Sequence, residues 1–170
     1  MKRRIISLLL AAALTFALAS GCFAANYSNW FKNTYNEIQS MKTQLGLDIL
    51  PSEFTSMDLK QPITRAEMCR LAVQAFEVAT GNSIELEATN YFSDTSDTAI
   101  LKAYEYGIVT GYTDGTFQPD KLLTRQEFFK ILENFCHSAA FAPALQVNQN
   151  ALSQFSDSTS VSSWAQDSAK

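Results

Sequence analysis

One hexapeptide occurs twice in this chain. Pro62-Ile63-Thr64-Arg65-Ala66-Glu67 returns as Leu122-Leu123-Thr124-Arg125-Gln126-Glu127, and the two threonines are 124 − 64 = 60 residues apart. A second anchor, Phe92-Ser93-Asp94, returns as Phe155-Ser156-Asp157, at a spacing of 155 − 92 = 63. Two unrelated anchors at nearly one period indicate a tandem array. That constrains the fold more than any other feature, because a single repeat cannot bury its apolar face alone and must stack on a neighbour.

Each Thr-Arg-x-Glu has a local meaning. Thr followed three residues later by Glu is a capping box: the hydroxyl accepts from a first-turn amide and the carboxylate reaches back to the Thr amide. An apolar stripe at helical spacing follows each one. It runs Met68, Leu71, Ala72, Ala75, Phe76, Ala79 in the first, with Gly81 as its stop, and Phe128, Ile131, Leu132, Phe135, Cys136 in the second. A different helix precedes the second box. It spans Asp97 to Tyr106, carries Ile100, Leu101, Ala103 and Tyr104 on one side, and stops at Gly107. The turn residues Gly111, Asp114-Gly115 and Pro119 then lead to the box. One unit therefore reads helix, glycine-rich turn, short extended piece, capped helix. An earlier helix over Trp30 to Leu45, followed by Gly46, gives a looser first unit, and Phe155 to Lys170 opens a third.

The ends and the composition set the compartment. Lys2, Arg3 and Arg4 precede an apolar run from Ile5 to Ala19 and small residues at Ser20, Gly21 and Ala24. That pattern is a secretory signal, too short for a membrane span. Ala19-Ser20-Gly21-Cys22 also permits a lipoprotein reading with Cys22 lipidated. Cleavage after Ala24 leaves ten basic against 17 acidic side chains, a net charge of 10 − 17 = −7. Such an acidic chain with no basic run is a poor nucleic-acid binder, and local arginines must hold any acidic partner. Cys69 and Cys136 read as small core residues rather than a disulfide framework. No Cys/His cluster suggests zinc, and no cofactor motif is present.

These residues resemble the S-layer homology family. The motif Ala103, Gly107, Ile108, Gly111, Tyr112, Asp114, Gly115, Thr116, Phe117 and Pro119, followed by Leu123 to Glu127, is similar to the family's signature, and Ile63 to Glu67 match its last part in full. The resemblance implies an all-α fold of tandem helix-turn-helix repeats packed as a pseudo-threefold unit. The expected organisation is a signal peptide over 1–24, a divergent repeat over 25–81, a second repeat over 82–137, a linker over 138–154 and the truncated start of a third over 155–170. It also implies a function without catalysis: holding a secreted protein non-covalently to the cell wall by binding secondary cell-wall polysaccharide in grooves between units. The residues carried over are Arg65 and Arg125, Trp30 and Trp164, Asp94 and Asp157, with Gly111 in the turn. Departures remain: the second unit lacks the family's Trp, the first lacks Phe-x-Asp and the Gly-Tyr-x-Asp-Gly-Thr-Phe turn, and Gln126 replaces Ala.

The residue chemistry weighs these roles differently. Thr64, Glu67, Thr124 and Glu127 are explained as caps, and Asp114-Gly115 as turn chemistry. Asp94 and Asp157 fit capping and binding equally. A first-turn arginine opposes the helix dipole, so folding does not ask for Arg65 or Arg125. A guanidinium fork suits an acidic group on a polymer; the competing reading is a buried structural ion pair. No carboxylate pair or nucleophile with a base supports catalysis within the segment. Two alternatives share the same repeats: a peptidoglycan tether of an outer-membrane or lipid-anchored protein, and the anchoring part of a larger wall-active enzyme. The core is expected from both stripes plus Trp30 and Ile38, with Phe76 and Ile131 buried and Trp164 more exposed than Trp30.

Overall fold

The computed structural model describes residues 25–139, 148 and 150–170. The expected signal over 1–24 and part of the linker lie outside the described residues. The described chain is helical, with four α-helices: α1 (Lys32–Leu45), α2 (Arg65–Thr80), α3 (Thr98–Glu105) and α4 (Arg125–Ser138). Short 3-10 turns flank them, three of these between Leu152 and Ala165. Among the described residues the extended backbone pairs only in two isolated bridges.

Both capping boxes form. Thr64 accepts from the Glu67 amide while the Glu67 carboxylate accepts from the Thr64 amide, and Thr124 and Glu127 do the same. In α2 and α4 the N-cap amide and one first-turn amide, otherwise unpaired, are thus satisfied. Gly81 and Gly107, expected as stops, take φ of 70° and 69°, a left-handed backbone that costs glycine little. A further hydrogen bond repeats at the same spacing. Gln74 Nε2 donates to the Asp48 carbonyl at 2.6 Å, and Asn134 Nδ2 donates to the Ile108 carbonyl at 3.2 Å. Donors and acceptors are each 60 residues apart (134 − 74 and 108 − 48).

The core joins one face of α2 (Met68, Cys69, Ala72, Val73, Phe76) to Ile100 and Ala103 of α3. It continues through Ile108, Val109 and Phe117 of the turn to Ile131 of α4. Phe76 meets Tyr106 and Phe135 edge-on at 5.2 and 6.3 Å. Phe76 and Ile131 are buried as expected. The second stripe is buried less than the first, since Phe128 and Leu132 remain exposed.

Three expectations fail here, the first for Ile38, which is only partly buried and lies outside the core because its helix α1 does not pack into it. Trp30 is 81% exposed and outside the core, because Tyr27 stacks on Tyr35 at 4.6 Å and Phe31 closes that cluster from the side. Trp164, at 51%, is less exposed than Trp30, because the turn Ser163–Ala165 packs on α4 with Ala165 fully buried. The helix α1 buries none of its residues fully; the Tyr27 cluster and a Lys42–Asp48 ion pair at 2.7 Å tie it down.

Candidate functional site: a groove beside Arg65

The extended stretches before the two capped helices cross each other. Thr64 and Leu122 form an antiparallel bridge; Leu123 N–H donates to the Ile63 carbonyl, and Arg65 and Ala66 N–H donate to the carbonyls of Lys121 and Pro119. This crossing carries the Arg65 side chain onto the turn ahead of α4.

Arg65 is only 6% exposed. Its Nε donates to the Phe117 carbonyl at 3.0 Å and Nη2 to the Thr110 carbonyl at 2.9 Å. The guanidinium lies 4.3 Å from the Phe117 ring centroid and 4.9 Å from that of Tyr112. Its polar partners are carbonyl oxygens and its neighbours are rings, so among the described residues the competing reading of Arg65, a buried structural ion pair, does not form. A cation taken out of water without a counter-charge is costly, and carbonyl dipoles and ring faces offset that cost only in part.

Arg65 lines a groove of about 350 Å³ together with Thr110, Gly111, Tyr112, Lys130 and Trp164, among others. Glu127, Lys130, Ile131 and Asn134 of α4 also line it, following the i, i+3, i+4, i+7 spacing of one helix face. Gly111 has a packing reason of its own: a Cβ there would sit 2.3 Å from Phe92 Cε1. Glu127 is already engaged. Burial would raise its pKa, but the Thr124 hydroxyl and amide and Lys121 outweigh it and hold the carboxyl below the ordinary value of 4.5. Lys121 also donates to Tyr112 Oη at 2.7 Å, which fixes that ring beside Arg65.

The sequence-derived residues therefore separate. Arg65, Gly111 and Trp164 come together in one groove. Arg125 and Asp157 line a different, wider cleft with Phe129, Leu152, Phe155 and Val161. Arg125 is exposed there, without the carbonyl cage of Arg65. Trp30 borders a smaller apolar cleft with Tyr27, Phe31 and Phe54. Asp94 lies outside the groove; its carboxylate accepts from the Phe117 and Gln118 amides at 2.8 and 2.7 Å. Gln118 has φ of 58°, so Asp94 clamps an unfavourable backbone that shapes the Arg65 cage. Tyr112, Lys130 and Asn134 were not picked out as site residues from sequence. The signal lay in the polar i, i+3, i+7 stripe Glu127, Lys130, Asn134 beside the apolar one.

Residues 93–129, from the start of the Asp94 clamp to the first turn of α4, match the family model for the S-layer homology domain. Among curated proteins, the chain is 36% identical over 78 residues to Cell surface glycoprotein 1 of Acetivibrio thermocellus, covering 43% of this chain and 3% of that protein. It is 29% identical over 126 residues to an Endoglucanase of Bacillus sp. (strain KSM-635), covering 68% of this chain and 12% of that protein. The chain thus spans a small part of the length of these relatives. No solved structure matches it significantly.

Proposed function

Since this chain carries an S-layer homology domain across residues 93–129, we propose that it anchors a secreted protein to the bacterial cell wall by binding an acidic secondary wall polysaccharide in the Arg65 groove. The observation that carries this reading is the state of Arg65. Among the described residues it is a sealed cation with no ion-pair partner, on the wall of a groove that also holds Lys130, two aromatic side chains and Glu127, whose carboxylate is already bonded to Thr124 and Lys121. An anionic sugar fits such a place: its acid group supplies the missing counter-charge and its ring lies on Tyr112 or Trp164. Net negative charge elsewhere disfavours indiscriminate polyanion binding, so recognition rests on this local arrangement.

The repeated capping boxes and the repeated side-chain bond at a spacing of 60 support a tandem, pseudo-symmetric arrangement of units over 25–81 and 82–137, with 155–170 contributing to a third. Arg125, exposed in its larger cleft with Asp157, serves as a weaker secondary contact in this account. The endoglucanase relative, of which this chain matches 12%, favours a second reading in which the same module anchors a larger wall-active enzyme. S-layer homology domains are anchoring modules, so any catalysis would reside elsewhere in such a protein.

The direct test is calorimetric titration of the mature chain with purified wall polysaccharide, beside R65K. Saturable binding that R65K weakens about tenfold supports the groove, since Lys keeps the charge but loses the planar fork. Unchanged binding by a folded R65K protein would place recognition elsewhere.

A further inference from the structure

Gln126 stands where the first capped helix has Ala66, 126 − 66 = 60 residues earlier. Its side chain makes a bond that alanine could not. Gln126 Oε1 accepts from the Ser162 amide at 3.0 Å. Ser162 is the N-cap of the 3-10 turn Ser163–Ala165, and its own side chain makes no cap hydrogen bond there. Trp164, two residues on, forms one wall of the Arg65 groove.

A second tie follows in the same segment. Ser168 Oγ donates to Glu133 Oε2 at 2.6 Å, and that oxygen also accepts from Lys130 Nζ at 2.8 Å. Lys130 lines the groove. Between the two ties, Ala165 is fully buried, yet no other residue from 150 to 170 is. A single 3-10 turn has little stability of its own. The placement of this segment therefore depends on its side-chain ties.

We infer that Gln126 and Glu133 form a two-point latch that fixes residues 162–168 across the groove and so positions the Trp164 indole as a wall against the bound sugar ring. Neither residue lines the Arg65 groove, although Gln126 borders the second cleft beside Arg125. They are positioning residues, acting through Trp164 and, for Glu133, also through Lys130. The ligand role of Trp164 rests on the proposed binding function; the latch itself does not. An indole half exposed on a groove offers one face to a ring, and that contact is lost if the turn moves by an ångström or two. The substitution of Gln for the family's Ala at this position thus acquires a purpose.

The experiment uses the mature chain with W30F, which leaves Trp164 as its remaining tryptophan. Acrylamide quenching of Trp164 without ligand reads the latch directly. Q126A and S168A should each raise quenching, their combination more so, while Q126E should restore it because a carboxylate oxygen also accepts from the Ser162 amide. Helix content by circular dichroism should stay unchanged throughout. Unaltered quenching in the folded double variant overturns the latch. Wall pelleting gives the second readout. Q126A and W164A should each weaken retention about three- to tenfold, and Q126A/W164A should be no worse than W164A alone. Additive losses would show that Gln126 acts elsewhere and would also overturn the inference. Raised quenching in Q126A with retention indifferent to Q126A and W164A alike would leave the latch standing and count against the groove as the binding site.

Discussion

Arg65 and Arg125 occupy the same place in the same motif, and their surroundings could hardly differ more. One is sealed between two carbonyls and two rings; the other is exposed in an open cleft. Arg65 thus serves the fold and, in the proposed function, the site as well. Truncating it leaves two carbonyls without donors and a gap beside Phe117. We expect R65A to lose about 1.5–3 kcal/mol of stability, the usual worth of hydrogen bonds to a charged group, visible as a lower denaturation midpoint. R125A should melt like the parent and weaken wall retention by a smaller factor. K130A tests the groove without touching the cage: retention should fall while thermal stability stays within about 0.5 kcal/mol. What was legible at this scale was that the arginines are not demanded by helix formation. The cage was not legible, because its carbonyls come from Thr110 and Phe117, 45 and 52 residues downstream.

The capped helices α2 and α4 begin where the Thr-x-x-Glu spacing puts them, because a capping box is a local device that four residues specify. Removing either threonine hydroxyl, as T64A or T124A, should cost about 1 kcal/mol. That corresponds to a fall of roughly 4 °C in melting temperature. Helix α3 was legible from its apolar spacing and the Gly107 stop, and the structure adds a cap: Asp97 accepts from the Ala99 amide. The position of Trp30 was not, since local pattern does not say whether Tyr27, Phe31 or Trp30 will pack inward. The terminal turns were invisible to pattern as well. They are tied by Gln126 and Glu133, long-range side-chain bonds with no periodic signature. Those ties also predict a pH response. The Lys130 and Ser168 hydrogen bonds hold Glu133 below its ordinary value of 4.5. A depressed folded pKa gives stability that is present above the unfolded value and lost as pH falls through the folded one. Stability should thus be level down to about pH 4.5 and decline below it, with the decline shallower in E133Q, as measured by urea unfolding across pH.

At the scale of the whole molecule, the helical class was legible in the sequence because period, caps and turn residues agree, and consistency across levels is what specifies a fold. The groove was only partly legible. It is assembled from the start of α2, the turn over 109–112, one face of α4 and a tryptophan near residue 164, four places that only packing brings together. An acidic protein with a cationic groove should bind a wall polymer through that groove and little else. The measurement that tests this most directly is co-sedimentation of the mature chain with isolated walls, before and after chemical removal of their secondary polymer. The chain should pellet with intact walls and remain in the supernatant with stripped ones. Equal pelleting with both, or with neither, would contradict the account.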